Sequence, residues 1–305
     1  FEEQGYNNPA ANVTQMVSRI IHRFGTEELK QAVLPEIMRG EVICSLGYSE
    51  PGSGSDVFAA QCRATQEADG SWRIDGTKMF TSGANLSTYV LMLCRTDPDV
   101  KKQAGISMLL FPMDTPGVEL RPIQLIDGGL EVNEVFFDNV RVPKRNRIGE
   151  EGEGFAHAQH WLNVGRIRHG ARSIGVIERC LELGTKYAKE RVTFGKPLAD
   201  RQAVQWMLAE SFMELHQLRL MVYDAAWKYD QGRDIRAEAY MAKIFGDTQS
   251  FHAADRCMEI HGGMGLATDL PIEKFWRDQR SMMITEGPIE ILKMTLARHV
   301  LRTYG

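Results

Sequence analysis

Proline is spread unevenly along these 305 residues, and the unevenness limits which parts of the chain can be helical. Six of the eleven prolines fall between residues 44 and 150, at 51, 98, 112, 116, 122 and 143. Proline lacks the N–H that a helix interior or central strand requires, so a zone this rich in it is built from short segments. Between these prolines lie short β-rich runs at 72–74, 89–93, 106–111 and 135–142. Their spacing predicts an antiparallel sandwich or barrel. Asp69-Gly70 and Asp75-Gly76 are read as turns. Before this zone, Val13, Met16, Val17, Ile20 and Ile21 fall at helical spacing. Gly25 ends that helix, and Thr26 caps the next with Glu28 in its first turn. After it, Leu208, Phe212, Leu215, Leu218, Val222 and Ala225 form one helical ridge. Ile167, Ala171, Ile174, Ile177 and Cys180 form another, and both read as core seams of a bundle. The chain begins Phe1-Glu2-Glu3-Gln4 and its helical pattern starts abruptly, so a preceding element is expected.

Composition excludes several classes. With 43% hydrophobic and 25% charged residues, the chain can bury two or three cores. The net charge of -4 and the lack of a Lys/Arg block argue against nucleic acid as a partner. No apolar run is long enough for an integral membrane segment. Cys44, Cys62, Cys94, Cys180 and Cys257 are scattered without a Cys-x-x-Cys, which reads as reduced thiols and not a zinc or disulfide frame. His157 and His160 read as a polar surface pair, so no metal is expected.

Four segments carry chemistry. Residues 48–56 read Tyr-Ser-Glu-Pro-Gly-Ser-Gly-Ser-Asp after the apolar run 42–46. Gly52 and Gly54 there would let a ligand approach the main chain. Arg191-Val192-Thr193-Phe194-Gly195 interrupts two helical stretches; its Arg suits a phosphate, and a plain helix–helix turn is the equal alternative. Glu259-Ile260-His261-Gly262-Gly263-Met264-Gly265 carries more glycine than a helix cap needs, yet lacks the strand context of a Rossmann fingerprint. In Ile284-Thr285-Glu286-Gly287-Pro288 a carboxylate sits on a turn among apolar neighbours. Burial there would raise its pKa and poise it as a base. Glu290 better fits a helix N-terminal acid.

With these motifs in order, joined by Gly76-x-Lys78 and Phe137-Asp138-Asn139-Val140-x-Val142-Pro143, the chain resembles the acyl-CoA dehydrogenase family from about residue 10 to 305. The resemblance implies an α+β multidomain fold. It comprises the remainder of an N-terminal helical domain (1–43), a central antiparallel β-sandwich or barrel domain (44–150) and a C-terminal four-helix bundle (151–305). It also implies non-covalent FAD between the last two. Leu46, Gly47, Tyr48, Ser49, Phe80, Thr81 and Ser82 would line the flavin, with Ser82 near N5. Arg191, Phe194, Gln202, Glu259, Ile260, His261, Gly262 and Gly263 would reach the FAD of a neighbouring subunit, and Pro288 and Glu290 would add cofactor contacts. Ser55, Asn163, Arg166 and Gly287 would meet the acyl-CoA substrate, and Glu286 would be the catalytic base.

The implied reaction is α,β-dehydrogenation of an acyl-CoA thioester, with electrons passed to an electron-transferring flavoprotein. A homodimer or dimer of dimers is implied. The compartment would be the cytoplasm in a bacterium, or the mitochondrial matrix or peroxisome in a eukaryote. An oxidase or flavin monooxygenase on the same fold, or a non-catalytic subunit of a heteromer, are the alternatives. Some relatives carry the base just before the Arg of Asn163-Val164-Gly165-Arg166, where this chain has Gly165. Phe80 replaces a usual Trp, Glu259 a usual Gln, and Gly287-Pro288-Ile289-Glu290 a common Gly-Thr-x-Gln.

Overall fold

The structure is a computed structural model that describes residues 9–305. The N-terminal expectation for residues 1–8 lies outside the described residues. The chain divides into two compact units at Trp161/Leu162.

The first unit opens with α1 (Pro9–Phe24), which buries Met16, Val17, Ile20 and Ile21 along one face. α2 (Glu27–Arg39) begins as its sequence predicts, with the Thr26 hydroxyl accepting from the Leu29 N–H at 3.2 Å. It ends on Gly40 at φ 76. The strands follow: β1 (Cys44–Gly47), β2 (Arg63–Gln66), β3 (Trp72–Ser82), β4 (Tyr89–Arg95), β5 (Ile106–Pro112), β6 (Val118–Ile123), β7 (Val132–Val142) and β8 (Arg147–Ile148). They hydrogen-bond in the order β6-β7-β3-β2-β4-β5-β8.

β1 pairs with β4 over Tyr89–Met92, and β2 meets β4 at Arg95, so two strands share one edge of β4. Both of these pairings are parallel, which corrects the expectation of a wholly antiparallel domain. The connections to β4 are crossovers between non-consecutive strands, and these permit a parallel pairing that a hairpin forbids. Among the described residues the path does not close on itself, so it is not a closed barrel. β4 and β5 are buried on both faces, which is why they read as unbroken apolar runs rather than as alternation. Trp72, Ile74, Val90, Met92, Phe111, Val135, Phe137 and Val140 form the core.

Asp75-Gly76 is not a turn. It lies inside β3, at a register shift against β7. Gly76 sits at φ 141, and a Cβ there would come within 2.8 Å of the Cys62 Cα. The glycine serves a bulge with close backbone approach. His157 is buried and stacks on Phe24 at 4.0 Å, so the expected surface pair of His157 and His160 is half wrong.

The second unit is helical. α3 (Gly154–Glu190) continues into it, followed by the hairpin β9 (Val192–Thr193) and β10 (Lys196–Pro197), then α4 (Gln202–Asp230), α5 (Arg236–His261), α6 (Ile272–Met282) and α7 (Ile289–Tyr304). α5 packs against α4, α6 and α7. Leu215, Leu218, Val222 and Ala225 are buried as expected, but Phe212 is exposed. On α3, Ile177 and Cys180 are buried and Ile167 and Ile174 pack against the same core as expected, but Ala171 faces solvent and the buried row also takes in His169, Ser173 and Val176. The whole is therefore α+β, with a β-sheet domain and a helical C-terminal region. All five cysteines are free and buried. Among the described residues no helix is long and apolar enough to cross a membrane, and no group of three or more His, Cys, Asp or Glu could hold a metal.

Candidate functional site

In the β unit, two of the predicted segments are tied together by main-chain and buried ionic contacts. Met79 N–H donates to the Ser49 carbonyl at 2.8 Å. Fully buried Lys78 donates to the Tyr48 carbonyl at 3.2 Å and pairs with Glu50 at 2.7 Å. The Glu50 carboxylate also accepts from the Gln61 and Cys62 N–H groups at 2.6 and 3.0 Å. Three donors, including one cation, thus satisfy a carboxylate that would be costly to bury alone. This explains why the 48–56 loop and Gly76-x-Lys78 belong to one device.

The loop itself closes through reciprocal Glu50 and Ser53 backbone bonds. Gly52 and Gly54 do not adopt positive φ, and nothing lies within 4 Å of a Cβ built on either. Their service is open space, and Ser55 beside them is exposed. An open cleft of about 450 Å³ borders this loop, lined by Glu50, Gly52, Gln61, Cys62 and Thr77 among others. It does not include residues 80–82. Leu46, Tyr48, Ser49 and Ser82 are half-buried, and Gly47 is buried.

A second shift in β3, between Lys78 and Thr81, puts Phe80 at φ 56 with its ring 56% exposed. A bulky residue in that region is strained, and strain of this kind persists where the surrounding structure enforces it. Next to it, the Thr81 hydroxyl is buried without a hydrogen-bond partner. The exposed aromatic face of Phe80 fits a flat group such as a flavin, whereas the fully buried Thr81 side chain can offer a ligand only its backbone.

In the helical unit, Phe194-Gly195 is the two-residue turn of the β9–β10 hairpin, with φ 47 and 76. Both central residues at positive φ match the turn type that suits a hairpin's twist. Phe194 is 97% exposed and Arg191 is exposed before it. Gln202, also exposed, opens α4. Among the glycines after α5, Gly265 is required by packing, since a Cβ would meet the Met258 carbonyl at 2.6 Å. Gly262 and Gly263 face open space. Glu259 is exposed, whereas the Ile260 and His261 side chains are buried, with His261 stacked on Tyr187 at 4.3 Å. These two can offer a ligand only their backbone.

Glu286 lies on the turn between α6 and α7 at φ 52, the fourth non-glycine residue at positive φ among the described residues, beside Phe80, Asn139 and Phe194. Three of these four positions are ones the sequence marks as functional. Arg168 donates to Glu286 Oε1 at 2.9 Å, and His169 Nε2 lies 3.4 Å from Oε2. Oε2 is buried and makes no well-formed hydrogen bond. Burial alone would raise this carboxyl. His169, Arg168 and Lys243 outweigh it and hold the group down to about 2. The raised pKa expected from the sequence is therefore wrong. The apolar residues adjacent in the chain do not form the environment; cations from α3 and α5 do. Glu290, by contrast, occupies the first turn of α7 as a helix N-terminal acid should, after Pro288.

The turn is pinned from beneath. Lys243 Nζ donates to the Met282 and Gly287 carbonyls at 3.1 and 3.0 Å and pairs with Asp247 at 3.0 Å. It thereby satisfies a carbonyl left over at the C-terminus of α6. Arg166 is half-buried, lies 4.8 Å over the Tyr240 ring and flanks Gly287, while Asn163 contacts it at 3.5 Å. The Arg166 Nε is buried without a partner.

Sequence reasoning missed Arg168, His169, Lys243 and Asp247. The available signal was polar: Lys243 and Asp247 stand four apart in a helix otherwise buried through Ala239, Ala242, Gly246, Ser250, Ala253 and Ala254.

Comparisons agree with these features. Profiles described as the acyl-CoA dehydrogenase middle domain and C-terminal domain match residues 45–140 and 152–301. The human mitochondrial short-chain specific acyl-CoA dehydrogenase is 35% identical over 93% of this chain and 69% of its own length. An acryloyl-CoA reductase (NADH) of Anaerotignum propionicum is 33% identical over 92% and 72%. The crystal structure of butyryl-CoA dehydrogenase from Megasphaera elsdenii superposes with a TM-score of 0.88 at 30% identity, covering 94% of this chain and 75% of that one.

Proposed function

The chain belongs to the acyl-CoA dehydrogenase family and is an FAD-dependent oxidoreductase; we propose that it desaturates an acyl-CoA thioester between Cα and Cβ, with Glu286 as the base. The observation that carries this reading is Glu286 Oε2: an ionised, buried oxygen without a well-formed hydrogen bond, on a strained turn. A carboxylate already ionised needs no prior deprotonation to accept a proton. The α-C–H bond breaks, the proton goes to Oε2, and the electron pair stays on the α-carbon. That charge spreads to the thioester oxygen and needs a preorganised donor, for which the Glu286 backbone N–H is our candidate. FAD, when bound, supplies the acceptor for the β-hydrogen as hydride.

Leu46–Ser49 and Phe80–Ser82 would hold the flavin. Arg191, Phe194, Gln202 and Glu259–Gly263 would hold FAD across a subunit contact, and Pro288 and Glu290 would add to the cofactor site. Ser55, Asn163, Arg166 and Gly287 would bind the acyl-CoA. Electron-transferring flavoprotein is the acceptor we assign, and a homodimer or dimer of dimers the assembly.

Anaerobic titration of the yellow protein with a panel of acyl-CoAs tests this. A suitable acyl-CoA bleaches the flavin, and Glu286→Gln retains the yellow colour but does not bleach. Bleaching by that variant at the wild-type rate would remove Glu286 from the role. Rapid reoxidation by air would make the protein an oxidase instead.

A further inference from the structure

The α3 and α5 backbones approach closely where two glycines meet. A Cβ on Gly246 would lie 3.0 Å from the Gly170 Cα, and one on Gly170 would lie 3.2 Å from the Ala242 carbonyl oxygen. The residues beside these glycines, His169 and Asp247, are consequently brought together in the interior, 2% and 1% exposed. Both Asp247 oxygens lie 3.2 Å from His169 Nδ1. The opposite ring nitrogen, Nε2, faces Glu286 Oε2 at 3.4 Å. Asp247, His169 and Glu286 thus stand in line, one carboxylate on each ring nitrogen.

We propose that His169, oriented by Asp247, is a positioning residue that holds the Glu286 carboxylate and controls how readily it takes a proton. This rests on the reading of Glu286 as the base. An imidazole held between two carboxylates keeps its own proton more firmly than a free one. For His169, burial opposes this, and Asp247 and then Glu286 overcome it to raise the group. Charged groups facing the pair come from each element packed on it: Arg166 and Arg168 from α3, Lys243 and Asp247 from α5, and Glu286 from the turn after α6. Of these cations, His169 is the one whose charge can be lost near neutral pH. Its imidazolium makes Glu286 a weaker base, and its deprotonation makes Glu286 a stronger one.

The test is a titration of the Glu286 side chain by ¹³C-carboxyl NMR in the FAD-loaded protein without substrate. The signal is assigned by its loss in Glu286→Gln. His169→Asn keeps a donor toward Asp247 but withdraws the charge from Glu286. The Glu286 midpoint should then rise by about one to three pH units. The acid limb of flavin bleaching should move up with it, while KM for the acyl-CoA changes by less than about threefold. His169→Gln, which reaches toward Glu286 without charge, should show the same upward shift and serves if the Asn variant does not fold. Asp247→Asn should leave His169 easier to deprotonate, read from its ¹⁵N-imidazole shift.

A Glu286 midpoint and acid limb that stay at wild-type values in both His169 variants would overturn the proposal. The two readings fail separately. Unchanged bleaching by Glu286→Gln removes the base. An unchanged midpoint with a bleach-dead Glu286→Gln removes only the role of His169.

Discussion

Lys243 carries one charge and three contacts, and each has its own consequence when the side chain is replaced. Lys243→Met would leave buried Asp247 with His169 as its remaining cation and two carbonyls of the Glu286 turn without their lysine donor. A loss of roughly 3–5 kcal/mol is expected, read as a lower denaturant midpoint, together with loss of flavin bleaching. A midpoint within error of wild type would mean that the turn is held by other contacts. Glu286 adds an acid-side dependence. Its folded pKa, about 2, lies below the ordinary 4.5, so its contribution is complete above 4.5 and is lost as pH falls toward 2. His169 has the opposite sign. Its folded pKa is raised, so its contribution is complete below the ordinary 6.5 and declines as pH climbs through the higher folded value. Thermal melts across pH should therefore fall off on both sides, and Glu286→Gln should flatten the acid side. The proposed base was legible as a candidate in the sequence because Glu286 sits in a motif. Its environment was not, because Arg168, His169 and Lys243 are distant in the chain and reach it only after the helices cross.

At the scale of elements, backbone clearance decides what glycine does. Gly76→Ala would force a Cβ against the Cys62 backbone at a conformation few side chains adopt. It should cost about 1–3 kcal/mol, measured by denaturant unfolding. Gly52→Ala, in open space and without positive φ, should leave stability unchanged. Equal effects at the two sites would contradict this assignment. The strands were legible from β-branched and apolar runs between turn signals, and the α2 cap from Thr26. The bulge at Gly76 was not, because Asp-Gly is also the commonest turn signature and only pairing of β3 with β7 tells the two apart. The α3 ridge held at Ile167, Ile174, Ile177 and Cys180 but was incomplete for a related reason. Apolar periodicity cannot find a buried face made of Gly165, His169 and Ser173.

For the whole molecule, the face of α4 opposite its core is the feature that the single chain leaves unexplained. Trp206, Met213, Leu220 and Trp227 are exposed at intervals of seven, with Tyr223 and Phe212 alongside. Seven residues are nearly two full turns, so these side chains form one row along the helix. Single exposed apolar residues are ordinary, but a contiguous aromatic row marks a contact surface. A two-fold contact through the same patch on each subunit would cover it in a homodimer or dimer of dimers. Replacing both Trp206 and Trp227 with Glu places like charges in that contact without touching the buried row of Leu215, Leu218 and Val222. Sedimentation equilibrium should show the wild-type protein as a multiple of the 34.4 kDa chain and the double variant at lower mass. FAD occupancy should fall with it, since Arg191 and Phe194 are assigned to a neighbouring subunit's cofactor. If the variant keeps its mass, the row is not the subunit contact. If it loses mass yet keeps FAD at wild-type occupancy, the cofactor is held within one chain.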